Sequence, residues 1–189
     1  ASRIAAEGVC DCFISADNKT GSIVEDNSAP DFVAKNEKFR AYVEQVAEQA
    51  AETNAADIDA FLAETWKFDT SKTVDEARAA QVAVIAENLK IRRFVKCNTN
   101  GFLVKYIHMN VKIGILLDVD APMHDATVEC AKNIAMQIAA MNPTYVKKDD
   151  ISADTIAKER EIVVDSSLAD PASLPKPLMM AVIQEAIES

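Results

Sequence analysis

Glycine and proline are scarce in this sequence, with 4 and 6 among 189 residues. That leaves few sharp loops and much helix. Basic residues are outnumbered: Lys and Arg total 20 against 30 Asp and Glu, a formal net charge of −10. A duplex-binding protein carries a basic face that releases counterions from phosphate. Here only the short clusters Arg92-Arg93 and Lys147-Lys148 are basic, so direct nucleic-acid binding and an anionic membrane surface are not expected. An acidic balance suits solubility and a protein partner with basic patches. There is no membrane-length apolar run; the most apolar stretch, residues 113–117, is strand-sized. No signal peptide is read at the start. The sequence opens at Ala1, in what reads as the tail of a helix, and is read as a partial chain. Four cysteines, Cys10, Cys12, Cys97 and Cys130, are too few and too scattered for a disulfide scaffold. A cytoplasmic location is therefore expected.

What is present is an ordinary soluble composition, 49% apolar and 26% charged. Its length suffices for one ample domain or two small ones sharing a core. Residues 9–15 and 22–27 read as strands around the polar turn 16–21, a hairpin pattern. Residues 36–52 place Phe39, Tyr42, Val43, Val46, Ala47 and Ala50 on one helical face. A shorter helix is expected over 57–65, with Ile58, Phe61 and Leu62 inward. The next starts at a capping box, Thr73 with Glu76, and should run to about Asn88. Residues 91–97 read as a strand, and the turn 98–101 is the best boundary between two halves.

The second half repeats the first: a hairpin over 101–107 and 112–120, then an amphipathic helix over 124–141. Ser152 is the expected cap of a further helix, stapled by Ile151 and Ile156, with Asp154 in its first turn. Pro171, Pro175 and Pro177 end it, and a last apolar segment covers 178–187. The expected fold class is α+β. It has two similar subdomains, each a small antiparallel sheet (hairpin plus strand) packed with helices, and a helical tail. The halves are residues 1–97 and 98–189.

The most informative segment is Pro30-Asp31-Phe32-Val33-Ala34-Lys35-Asn36, at the junction of a strand and a helix. Such junctions are exposed and present side chains to partners. A carboxylate beside a large exposed aromatic is an interface anchor. The competing reading has Phe32 plug the core and Asp31 cap the helix; composition alone favours it, since most aromatics are core. The repeat weighs the other way. Its second copy has Ala121-Pro122-Met123 at the same junction, so the fold does not require an acid–aromatic pair there. Other groupings are weaker. Cys10, Cys12, Cys97, Cys130 and His108 lack the paired spacing of a structural zinc site. Asp118, Asp120, His124 and Asp125 read as a strand end and a helix start. Met136 and Met141 read as core or gap fillers, and Lys19 and Lys112 as solvated turn charges.

The run 31–36, after a Val/Glu/Asn strand, resembles the signature of the translation elongation factor Ts family. Further segments match that family in order. They are Arg3-Ile4-Ala5-Ala6-Glu7-Gly8, Glu87-Asn88-Leu89-Lys90-Ile91-Arg92-Arg93-Phe94, Tyr106-Ile107-His108 and Asn133 to Pro143, then Tyr145-Val146 and Asp154 to Ile162.

The resemblance implies a guanine-nucleotide exchange factor for the GTPase elongation factor Tu, not an enzyme, with no cofactor. It also implies that Asp31 and Phe32 form a wedge driven near the GTPase's Mg²⁺ and phosphate region. On this reading the partner-binding residues are Asp31, Phe32, Val33, Ala34, Lys35 and Asn36, with Tyr106 and His108 touching another domain of the GTPase. The chain departs from the family at Pro30, where Thr is usual, and at Met109-Asn110-Val111, where the family is Gly-rich. It also stops before the family's last strand, so the second sheet is expected as a bare hairpin with an open edge. The alternative is a truncated module that binds the GTPase without efficient exchange, or self-associates as a homodimer.

Overall fold

The computed structural model describes residues 7–28, 36–108 and 111–169. Its architecture is α+β, with two small antiparallel sheets packed with five helices among these residues. Strand β1 (Glu7–Ile14) turns into β2 (Thr20–Ser28) through Asn18, whose positive φ of 57° suits an asparagine. Ser15 and Asp17 brace that turn: Ser15 donates to Asp17 Oδ1 at 2.6 Å, and the Thr20 N–H to Ser15 Oγ at 3.0 Å. Strand β3 (Leu89–Asn98) pairs with the far side of β2, giving the order β1-β2-β3. The β2–β3 register shifts between Glu25 and Asp26, so Arg92 is the extra residue of a bulge. The second sheet holds β4 (Phe102–His108) and β5 (Ile113–Val119), with no third strand among the described residues.

Helix α1 (Glu37–Glu52) buries the face its periodicity announces: Phe39, Tyr42, Val43, Val46, Ala47 and Ala50 are all inside. It lies on β1 and β2. Helix α2 (Ile58–Ala63) starts at Asp57, which accepts from the Ala60 N–H at 2.8 Å, and buries Phe61 against Phe94 of β3, ring centroids 4.7 Å apart. Helix α3 (Val74–Ile85) begins at the expected capping box, with both reciprocal bonds of Thr73 and Glu76 present. It stops three residues before the expected Asn88. Ala86 adopts φ 61° and turns the chain, because Leu89 and Ile91 must enter the sheet as buried strand residues. The sole tryptophan, Trp66, packs with tilted rings between Tyr42 (6.1 Å) and Phe68 (5.1 Å).

Helix α4 (Asp125–Met141) covers the second sheet with a seam of Ala131, Ala135 and Ala139, one helical turn apart, over Phe102 and Val104. Small residues let the helix lie close to the sheet. Met136 and Met141 face outward instead of filling the core.

The two sheets interlock. Val111, at the end of the β4–β5 hairpin, joins the core of the first subdomain, and its carbonyl accepts both the Cys10 N–H (2.8 Å) and the Cys10 thiol (3.1 Å). A side chain at Gly114 would start 3.1 Å from Cys10 Sγ; one at Gly21 would start 2.8 Å from Leu103 Cδ1. At Gly21 a Cβ would also start 2.7 Å from the Phe13 carbonyl oxygen, so glycine is needed there, while at Gly114 the close approach of the sheets leaves little room for a side chain. Lys19 is not a free turn charge. Its Nζ donates to the Asn100 carbonyl at 2.6 Å and to that of Gly101, tying the first hairpin turn to the 98–101 turn.

The described residues up to Met141 form one compact unit and those from Asn142 another. The second unit holds a 3-10 turn (Lys148–Asp150) and helix α5 (Ala153–Ala169). Ser152 caps α5 as expected, accepting from the Thr155 N–H at 3.2 Å. The proline-rich stretch and the apolar segment 178–187 lie outside the described residues.

Candidate functional site

Of the residues singled out in the sequence, Asp31, Phe32, Val33, Ala34 and Lys35 lie outside the described residues. Both flanks of their segment are described. On one side β2 ends at Ser28, fully buried and paired with Glu7 and Leu89. On the other, Asn36 caps α1: its backbone is extended (φ −74°, ψ 119°), and Oδ1 accepts from the Lys38 N–H (2.9 Å) and the Phe39 N–H (3.4 Å). That bond satisfies two donors that a helix start leaves open. The fully buried Phe39 follows three residues later. The described flanks of the segment are thus an internal strand end and a capped, anchored helix.

The second group lies at the end of β4. Tyr106 and His108 are two residues apart on a strand and so share a face. Their rings stack at 5.7 Å with 29° between planes, and Tyr106 Oη lies 2.8 Å from His108 Nδ1. Ile107 between them points the other way, into the first core. Tyr106 is half-buried and His108 exposed. No hydrogen bond or ring contact joins Asn36 to this pair.

Cys10 and Cys12 take a structural role. Cys12 Sγ lies 3.7 Å from the Ile115 carbonyl, and Cys10 Sγ donates to Val111. Burial pushes the Cys10 thiol up to about 11 and the Cys12 thiol to about 12, so both stay protonated at neutral pH. Among the described residues no group of three or more His, Cys, Asp or Glu is arranged to hold a metal ion. His124 is taken up by the start of α4, where its Nδ1 accepts from the Thr127 N–H at 3.3 Å. No described helix is long and apolar enough to cross a membrane.

Two features escaped the sequence reading. One is an ionic clamp on the first sheet, where Glu25 accepts from Arg92 Nη1 (2.7 Å) and Arg93 Nε (2.6 Å). The bulge at Arg92 brings both arginines to one carboxylate. Burial pushes the Glu25 carboxyl up, but the two guanidiniums outweigh it and hold it below its ordinary value. The other is Asp26, completely buried, with no hydrogen-bond donor among the described residues on either carboxyl oxygen. Burial pushes it up to about 7, and the Arg78 charge offsets only part of that.

Comparison with known proteins gives one consistent result. Residues 30–187 match the family described as Elongation factor TS. The curated relatives named Elongation factor Ts include that of Halothermothrix orenii, 48% identical over 168 residues, 89% of this chain and 56% of that protein. That of Clostridioides difficile is 40% identical over the whole of this chain and 62% of its own length. That of Clostridium botulinum strain Alaska E43 is 39% identical over 97% of this chain and 61% of its own. The chain therefore spans somewhat over half the length of the relatives it matches.

Proposed function

Since the chain belongs to the elongation factor Ts family, we propose that it is a guanine-nucleotide exchange factor for elongation factor Tu in protein synthesis. The observation that carries this reading is the match across residues 30–187, which includes Asp31 and Phe32. The exchange site is the junction of β2 and α1. Phe32 inserts into the nucleotide domain of the GTPase, and Asp31 beside it disturbs the region that holds Mg²⁺ and phosphate. Two structural facts support the placement. The junction runs between the buried Ser28 and the cap at Asn36, so a load on Phe32 is passed to anchored elements. The Tyr106–His108 pair presents a stacked aromatic surface for a second contact.

The physical logic is reciprocal coupling. A factor that binds the empty GTPase more tightly than the loaded one weakens nucleotide binding by the same ratio. No bond is made or broken, so no base, nucleophile or cofactor of the chain's own is needed, and the protein is not an enzyme. We assign the wedge to residues 1–97 and the second contact to residues 98–189.

Exchange is tested by mixing the chain with elongation factor Tu loaded with fluorescent GDP. Release should accelerate, and Phe32→Ala should cut the acceleration by roughly 30-fold, the equivalent of about 2 kcal/mol for an interface anchor. The melting temperature should hardly move. A large fall in melting temperature would instead make Phe32 a core residue. One observation favours a second reading: the second sheet has two strands only among the described residues. A binding or self-associating module would co-elute with the GTPase, or with itself, without releasing nucleotide.

A further inference from the structure

The layer between β2 and α1 is not wholly apolar. Ser22, Asp26 and Ser28 alternate along β2 with their side chains inside. Ser22 Oγ donates to the Ala47 carbonyl of α1. Asp26 has no such partner among the described residues: neither carboxyl oxygen meets a donor there, and the Tyr42 hydroxyl of α1 is likewise buried and without a described partner. Buried polar groups without partners are rare, and each calls for a physical reason.

The surroundings are nearly charge-free. From α1 Tyr42 faces Asp26, and burial together with the Asp26 charge pushes its hydroxyl well up, so it stays neutral. From α3 come Arg78 and Asp75. The Arg78 guanidinium is committed elsewhere, Nε to Asp75 Oδ1 at 2.8 Å and Nη1 to the Leu89 carbonyl at 2.9 Å. At the paired positions β1 and β3 place Val9 and Ile91, both apolar and buried. A carboxylate formed here would have neither water nor a donor. Two responses are open to it: stay protonated, or open the layer to admit water.

We propose that Asp26 is a proton-controlled latch between β2 and α1: neutral, it lets the layer close; ionised, it drives the layer to open. The sign follows from its titration. Burial lifts the carboxyl from the ordinary 3.8 to about 7. Below pH 3.8 both folded and unfolded forms are protonated, and the layer keeps its full stability. Between 3.8 and about 7 the unfolded form ionises while the folded one does not, so stability is lost as pH rises. The loss is complete once the folded carboxyl ionises.

Trp66, packed against Tyr42, is a built-in reporter of this layer. The full chain is titrated from pH 5 to 8 while its tryptophan fluorescence and the hydrogen exchange of α1 amides are followed. In the wild type α1 exchange, corrected for its intrinsic pH dependence, should speed up as pH rises and level off near 7, and fluorescence should change along the same curve. Asp26→Asn keeps the shape but cannot ionise, and Asp26→Val removes the polar group; both should flatten the curve. His108 and His124 are common to all three proteins, so the difference between curves excludes them. A second measurement needs no variant: the Asp26 carboxyl carbon is titrated by NMR in the wild type. Titration near 3.8, or an unchanged pH response in Asp26→Asn, overturns the proposal. Should both variants fail to fold, the NMR midpoint set against the α1 exchange curve decides alone.

Discussion

Val111 carries two opposed demands. It is a β-branched residue at φ 67°, in the left-handed region, and it is 8% exposed within the first core. The conformation costs roughly 1–2 kcal/mol, while burying the side chain returns about 1.5–3 kcal/mol. The two substitutions that remove the side chain therefore differ in an unusual direction. Val111→Ala keeps a Cβ in the strained conformation and loses the burial. Val111→Gly loses the burial and relieves the strain. The glycine variant should be more stable than the alanine variant by about 1 kcal/mol in urea unfolding, and the reverse order would mean that Val111 is not left-handed in solution. None of this was legible in the sequence, where Met109-Asn110-Val111 was only a loop with little glycine. Asp26 was hidden for a related reason. Along Ser22-Ile23-Val24-Glu25-Asp26 the inward positions hold Ser22, Val24 and Asp26 and an outward one holds Ile23, so the sequence shows no apolar alternation to reveal which side chains point inward. Asn36 was singled out as a partner contact; the structure gives its side chain oxygen a local duty as well, capping α1.

The helices were legible where a local signal marked them. Apolar spacing placed α1, and the Thr73–Glu76 pair marked the start of α3 through a chemistry confined to four residues. Thr73→Ala removes the oxygen that accepts from the Glu76 N–H at 3.2 Å and should cost about 1 kcal/mol, read as a lower urea midpoint with unchanged slope. A changed slope would point to a wider loss of structure at the Thr65–Thr73 bridge just before the helix. The end of α3 was misjudged because its stop is Ala86, a residue with no left-handed preference, held there by the strand that follows. No signal marked the tie of Lys19 to Asn100 and Gly101, because nothing periodic links residues 81 and 82 positions apart.

The internal repeat announced two subdomains but not how firmly they are joined, since each half read alone is only a hairpin with a helix. The interlock involves Cys10 and Cys12, two apart on one strand face, and Gly21 and Gly114, which hold equivalent places in the repeat; none of these spacings says that the two sheets touch. The interlock has an energetic reason. A two-stranded sheet is marginal by itself in water, and β4–β5 gains a second covered face by resting on β1 and β2. The two subdomains up to Met141 should then unfold together, in one transition whose calorimetric and van't Hoff enthalpies agree. Gly114→Val tests this. Its side chain would meet Cys10 Sγ and Ile23 Cδ1 from a Cβ already 3.1 Å away, so the sheets must move apart. Overpacking of that kind should cost about 1–3 kcal/mol. If the sheets depend on each other, the loss appears as a lower melting temperature of the single transition, with hydrogen exchange faster in α1 as well as in β5. If they are independent, the transition splits and α1 keeps its protection. In that case the burial of Val111 in the first core would not couple the two subdomains.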